Sequence, residues 1–266
     1  MSTPTSDVLQ YHVADGVGTV TLNRPDAMNA LNTELKVALR DTLAAAATDA
    51  TVRALVLTGS GRAFCVGQDL REHTVNLQQD PEACWTTVRE HYNPITLSLG
   101  TMPKPVIAAV NGVAAGAGAS FAFASDFRIV AENARFTLAF AGVGLTADSG
   151  ASWTLPRLVG AAKATELLMT SATIPAAEAD RLGLVTALVP AAEVGRKAAE
   201  LAGLLAAGPT VAHGAIKRSL RYAAAHSLED SLAFEDQMQA VAGTSEDHRN
   251  AVKSFLAKEQ PVFQGR

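Results

Sequence analysis

Two glycine-rich turns, six scattered histidines, two cysteines and one isolated aspartate are the features of this 266-residue sequence that could do chemistry. The first turn reads Asn111-Gly112-Val113-Ala114-Ala115-Gly116-Ala117-Gly118, after an apolar run and before a stretch of small residues. Glycines at such a junction let backbone N–H groups approach a ligand, which makes a site for a phosphate or a polarised carbonyl. Close strand–helix packing would need the same glycines, so both readings stay open.

The spacing Gly-x-x-x-Gly-x-Gly also suits a short-chain dehydrogenase. However, it lies mid-chain, and Tyr92 and Tyr222 are followed four residues on by Thr96 and His226 rather than by lysine. The second turn, from Gly59 to Asp69, contains no Gly-Lys-Ser/Thr and so makes no phosphate loop of the Walker type. Cys65, Asp69 and His73 are four apart and would share one face of a continuous helix. A thiol nucleophile needs an aligned base, and Gly67 interrupts that helix. The histidines show no ligand spacing, and neither His-Glu-x-x-His nor Cys-x-x-Cys occurs, so no metal site is expected. Trp85 and Trp153 read as core.

Asp148 sits in Gly144-Leu145-Thr146-Ala147-Asp148-Ser149-Gly150, between an apolar run and an expected helix. An aspartate there can cap the helix by accepting from its first N–H groups. It can also be a proton-transfer group. Local sequence favours the cap.

The elements that must hold these groups follow from periodicity. Residues 8–13 and 17–22 flank Asp15-Gly16 as a hairpin, and Pro25 ends the second strand. Leu35, Leu39, Leu43 and Ala46 make a helical stripe over 33–47, with Thr33 as the expected N-cap. Short apolar strands are expected at 53–58, 106–110, 127–130 and 135–137, with helices at 81–100 and 116–124. Residues 71–95 include a loop that sets pocket size. Beyond residue 145 the pattern is helical, interrupted at Pro175, Pro190 and Pro209. The fold class is therefore α/β, with a core over 1–200 and a helical region over 201–266.

Composition removes several function classes. With 22 basic against 26 acidic residues the net charge is −4, which offers no basic face for nucleic acid. An apolar share of 48% with 18% charged residues is that of a globular chain. Two cysteines suit a reducing cytoplasm rather than a disulfide framework. Residues 1–10 carry no export-type pattern. The uncharged stretch 106–125 is long enough to span a membrane, but Asn111 and its glycines assign it to the core instead.

Taken together, these segments resemble the crotonase (enoyl-CoA hydratase/isomerase) family. The motifs, in order, are Asn23-Arg24-Pro25 with Asn29-Ala30-Leu31, Gly61 to Leu70, Lys104 to Gly112, Ala115 to Gly118, Leu155-Pro156-Arg157, and Leu182 to Val185. Ser254 to Lys258 completes the series. The resemblance implies a crotonase (ClpP-like) spiral of ββα units with a helical trimerisation region, assembled as a homo-trimer or hexamer. It implies an acyl-CoA substrate, no separate cofactor, and an oxyanion hole made by the N–H groups of Val66 and Ala117, beside Gly67 and Gly116. Val66 replaces the usual alanine, and its methyls are expected to narrow the pocket. Arg24, Ala27, Ala63, Gly67, Gln68, Asp69, Leu70 and Gly116 fall where relatives bind the substrate and line the CoA groove. Phe140 and Leu145 fall on the acyl pocket, and Phe255 and Lys258 where a neighbouring subunit reaches the nucleotide.

The chain also departs from the family's pattern. Hydratases of this family use two glutamates, and the corresponding positions hold Ser120 and Phe140. What remains is Asp148, at the place where isomerising members keep a carboxylate. The match is to the branch of ring-1,2-epoxyphenylacetyl-CoA and Δ3,Δ2-enoyl-CoA isomerases. Three functions stay open: an isomerase using Asp148, a hydratase with an atypical site, and a non-catalytic acyl-CoA binder.

Overall fold

A computed structural model describes residues 7–266. Most of the segment read for an export signal, residues 1–6, lies outside the described residues. The chain opens with the expected hairpin of β1 (Leu9–Ala14) and β2 (Val17–Leu22). Asp15 and Gly16 both take positive φ, the geometry of a primed two-residue turn. Helix α1 (Thr33–Thr48) follows, and its cap is Asn32, not Thr33: the Asn32 side chain accepts from the Leu35 N–H. The Thr33 hydroxyl donates instead to Glu72.

Three further turns of chain then each give one strand to each of two sheets. They are β3 (Ala54–Gly59) with β4 (Ala63–Cys65), β5 (Val106–Val110) with β6 (Val113–Ala115), and β7 (Phe127–Ala131) with β8 (Arg135–Thr137). The larger sheet runs β1-β2-β3-β5-β7-β10, parallel except at the hairpin, and β10 is Ala187–Val189. The smaller runs β4-β6-β8-β9, where β9 (Thr173–Pro175) is antiparallel to β8. This is the ββα spiral. Every residue of β5 is buried, as a parallel strand covered on both faces requires.

Between the strands lie α2 (Leu70–Gln79), α3 (Asn93–Thr101), α4 (Ala117–Ala124), α5 (Ala151–Val159), α6 (Ala161–Met169) and α7 (Ala176–Arg181). All eight residues of α4 are buried, which explains why residues 106–125 carry no charge. The stretch is β5, β6 and α4 in succession, and among the described residues no helix is long and apolar enough to cross a membrane. The helix expected at 81–100 is divided into a 3-10 turn at Ala83–Trp85, a π turn at Val88–Tyr92, and α3.

Helices α8 (Val194–Ala206), α9 (Thr210–Ala223), α10 (Leu228–Gly243) and α11 (Glu246–Ala257) complete the chain. The boundary placed after residue 200 falls inside α8. That helix buries Ala198, Ala202 and Ala206 with the core, so the peripheral helices start at α9. Two polar clips hold them. Lys217 of α9 bonds Asp126 at 2.7 Å, and Arg53 donates to the carbonyls of Gly208 and Phe263.

Candidate active site

The site is assembled from two tight turns. Asn29, fully buried in the left-handed region at φ 57°, donates to the carbonyls of Ser60, Ala63 and Phe64. Its own Oδ1 accepts from Arg24 N–H at 2.9 Å. One side chain thus fastens the 24–31 segment onto the turn that leads through β4 to Val66. That gives the paired Asn-Arg-Pro and Asn-Ala-Leu motifs a physical role.

The second turn is Gly116-Ala117 at the head of α4. Gly116 takes φ 50° and ψ −125°, which only glycine adopts readily. As the first residue of the helix, Ala117 has an N–H with no partner inside it. Gly118 must be glycine for a different reason: a Cβ there would stand 2.2 Å from the Cys65 carbonyl oxygen. A Cβ on Gly67 would meet Ala115 O at 2.8 Å and Ala117 N at 3.3 Å. The glycines therefore serve packing and donor placement at once, because packing brings the two turns together.

Val66 and Ala117 line one cavity of about 160 Å³ with Gly116, Phe140, Leu145 and Asp148. Val66 N–H points at Met28 O across a long 3.3 Å. Gln68 and Leu70 lie on this cavity and also on the adjoining groove, where Arg24, Ala27 and Asp69 are found. Arg24 and Asp69 pair at 2.9 Å. Burial alone would raise the Asp69 carboxyl, but Arg24 and the amides of Glu72 and Arg71 hold it below the usual range. Those amides are the first turn of α2, so Asp69 is that helix's cap.

Asp148 does not cap a helix. The N-cap of α5 is Gly150, with no side-chain bond to the helix, and the Asp148 carboxylate accepts from Ser149 Oγ at 2.8 Å. Burial pushes its carboxyl above the usual range, and the Ser149 bond only partly offsets that. Among the described residues it is the one carboxylate lining the cavity, and no Lys or Arg lines it. Ser120, fully buried, donates to Gly116 O at 3.1 Å. Phe140 forms an apolar wall.

Two expected groove residues do not face it, and the two expected to act on a neighbouring subunit lie apart from this site. Ala63 is buried in β4, its carbonyl engaged by Asn29 and Asn111, so it does not face the groove. Gly67 is buried under the groove rather than on it. Phe255 near the end of α11 is 81% exposed, and neither it nor Lys258 touches the cavity or groove. The cysteine constellation is dispersed as well. Cys65 is buried, which pushes its thiol up to about 12, and His73 bonds Cys84 at 3.2 Å instead. Nor is Trp85 core: it is 43% exposed on the cavity rim. Among the described residues no cluster of three His, Cys, Asp or Glu could hold a metal.

Of the polar residues lining the cavity beside Asp148, only Gln68 is among the expected binding residues. Gln68, His73, Thr87 and Tyr92 line it from α2, the π turn and their flanks. Three of them come from the 71–95 region read as helix and loop, where no regular spacing marks a shared surface. A signal was present in the run of polar residues itself.

The family model for enoyl-CoA hydratase/isomerase matches residues 12–266. A 1,2-epoxyphenylacetyl-CoA isomerase of Escherichia coli (strain K12) is 41% identical over 255 residues, 96% of this chain and 97% of that protein. A Rhodobacter capsulatus protein named probable enoyl-CoA hydratase is also 41% identical, over 97% of this chain and 98% of its own. The solved enoyl-CoA hydratase of Polaromonas sp. JS666 superposes with a TM-score of 0.90 at 34% identity, covering 96% of this chain and 99% of that one.

Proposed function

Because the chain belongs to the enoyl-CoA hydratase/isomerase family, whose members are enzymes acting on CoA thioesters, we propose that it is an acyl-CoA isomerase with Asp148 as its single proton carrier. The thioester carbonyl sits between the Val66 and Ala117 N–H groups. Negative charge developing on that oxygen draws the Val66 N–H from its long bond to Met28 O, and such fixed donors contribute several kcal/mol in a dry site. Asp148 removes the proton alpha to the carbonyl and returns it further along the conjugated system. One carboxylate suffices, since the base of the first step is the acid of the second. The raised carboxyl suits both roles. CoA lies along the Arg24–Leu70 groove, and no separate cofactor takes part. In a trimer or hexamer, Phe255 of α11 and Lys258 just beyond it are free to reach a neighbour's nucleotide. The two free thiols suit the cytoplasm.

The observation that carries this reading is the lone carboxylate in the donor cavity. The acyl group is by this reading a 1,2-epoxy-1,2-dihydrophenylacetyl ester, as the name of the Escherichia coli relative suggests, with Δ3,Δ2-enoyl-CoA isomerisation as the simpler reaction of the same site. The hydratase reading has the Rhodobacter name in its favour but lacks an acid at positions 120 and 140. Incubation with 3-enoyl-CoA and with 2-enoyl-CoA separates the two. The isomerase converts the first to the conjugated ester and leaves the second unhydrated. Hydration of 2-enoyl-CoA as the faster reaction would overturn the proposal.

A further inference from the structure

The cavity beside Asp148 is lined by two unlike kinds of residue. Phe140, Val143, Leu145 and Val66 are among its apolar lining, and Gln68 and Tyr92 are among its polar lining. A purely aliphatic acyl group would cover the Gln68 amide without offering its Nε2 a partner, and a buried donor left poorly paired is costly.

The polar lining is also built with care. Tyr92, 2% exposed, donates its hydroxyl to Gln68 Oε1. Lys36, also 2% exposed, reaches the same oxygen at 3.4 Å and Thr87 Oγ1 at 3.0 Å, with Glu72 as its counter-charge at 3.6 Å. Two donors converging on Oε1 orient the amide, which leaves Gln68 Nε2 with only a long 3.4 Å contact to Asp69 O. If the Tyr92 hydroxyl turns to a ligand, Lys36 still satisfies Gln68 Oε1. The wall can therefore release two donors into the cavity, Tyr92 Oη–H and Gln68 Nε2–H, without stranding an acceptor.

We propose that Tyr92 and Gln68 form a subsite for an oxygen atom carried by the acyl group itself, an ether, epoxide or hydroxyl oxygen, and that Lys36 is its positioning residue. The proposal rests on the acyl-CoA isomerase reading and adds to it the residues that would recognise the oxygen of its epoxide ester. Burial keeps the Tyr92 phenol protonated, so it acts as a neutral donor throughout the working pH range.

The test uses two stable esters, phenylacetyl-CoA and 2-hydroxyphenylacetyl-CoA, titrated calorimetrically into the full-length protein. Wild type binds the hydroxylated ester roughly tenfold tighter, the size expected of one well-placed hydrogen bond. Tyr92→Phe brings that ratio close to one. Lys36→Met lowers it about threefold, and Lys36→Arg restores it, whereas a merely structural role would weaken both esters alike. Equal affinities in wild type, or a ratio that survives Tyr92→Phe, would overturn the subsite. The wild-type comparison decides even if a variant does not fold. These are equilibrium measurements on unreactive esters. A protein that shows the ratio but does not isomerise 3-enoyl-CoA keeps the subsite and loses the isomerase reading. The converse result loses only the subsite.

Discussion

Asp126 and Asp148 are both carboxylates that burial pushes above the usual range, and each borders a cavity, of about 220 and 160 Å³ respectively. Their partners differ. Asp126 accepts from Lys217 Nζ at 2.7 Å and from Val106 N–H at 2.8 Å, so its charge is matched and it fastens α9 to the start of β5. Asp148 has one hydroxyl donor and no cation, and faces two donor turns instead. A buried carboxylate with a counter-ion is a fastener. One without is strained toward the proton and can move it. The difference teaches that burial alone does not set a carboxylate's role; the presence or absence of a facing cation separates a fastener from a candidate proton carrier.

The largest effect that could break this contrast is on turnover. Asp148→Asn lowers 3-enoyl-CoA isomerisation roughly a thousandfold, about 4 kcal/mol of barrier, in a steady-state assay. Asp126→Asn leaves the rate per folded molecule near that of wild type. The next effect runs the other way. Asp126→Asn removes the counter-charge of the buried Lys217 ammonium and leaves it only neutral oxygen acceptors, the carbonyls of Leu99 and Lys104 among them, and costs about 2 kcal/mol in urea unfolding. Asp148→Asn costs no stability there.

A smaller effect sharpens the contrast through pH. The folded-state pKa of Asp148 lies above its unfolded value, so this group opposes folding increasingly as pH rises above the unfolded pKa, and fully once pH exceeds the folded one. Asp148→Asn therefore melts slightly higher than wild type at neutral pH, and the difference disappears as pH falls below the unfolded carboxylate range. For the same reason the acidic limb of kcat/KM in wild type falls at a pH above that of an ordinary aspartate. An acidic limb at the ordinary position would remove the argument from burial.

Much of the scaffold was legible because its signals are local. The Asp15-Gly16 turn, the wholly apolar β5 and the stripe of α1 follow from residue types within a few positions. The glycines at 67, 116 and 118 were legible as a feature but not in meaning, since Gly67 and Gly118 are required by atoms of the opposite turn and Gly116 by its own backbone angles. Strands β6, β9 and β10 have three residues each, too few for a period of two to show. Helix α2 buries none of its residues and so has no stripe to find. Asp148 could be located but not assigned, because its local sequence suits a cap. Only the αL turn at Ser149 and Gly150 takes the carboxylate away from the helix and leaves it facing the cavity. The bonds among Lys36, Gln68 and Tyr92 join residues 32 and 24 positions apart, distances no local pattern spans.

The most direct test of Asp148 as the proton carrier is exchange at C2 of a bound acyl-CoA in deuterated water, followed by mass spectrometry on wild type, Asp148→Asn and Asp126→Asn. Deuterium uptake by wild type and Asp126→Asn, with none above background in Asp148→Asn, is the result expected. Uptake by Asp148→Asn at the wild-type rate would contradict it.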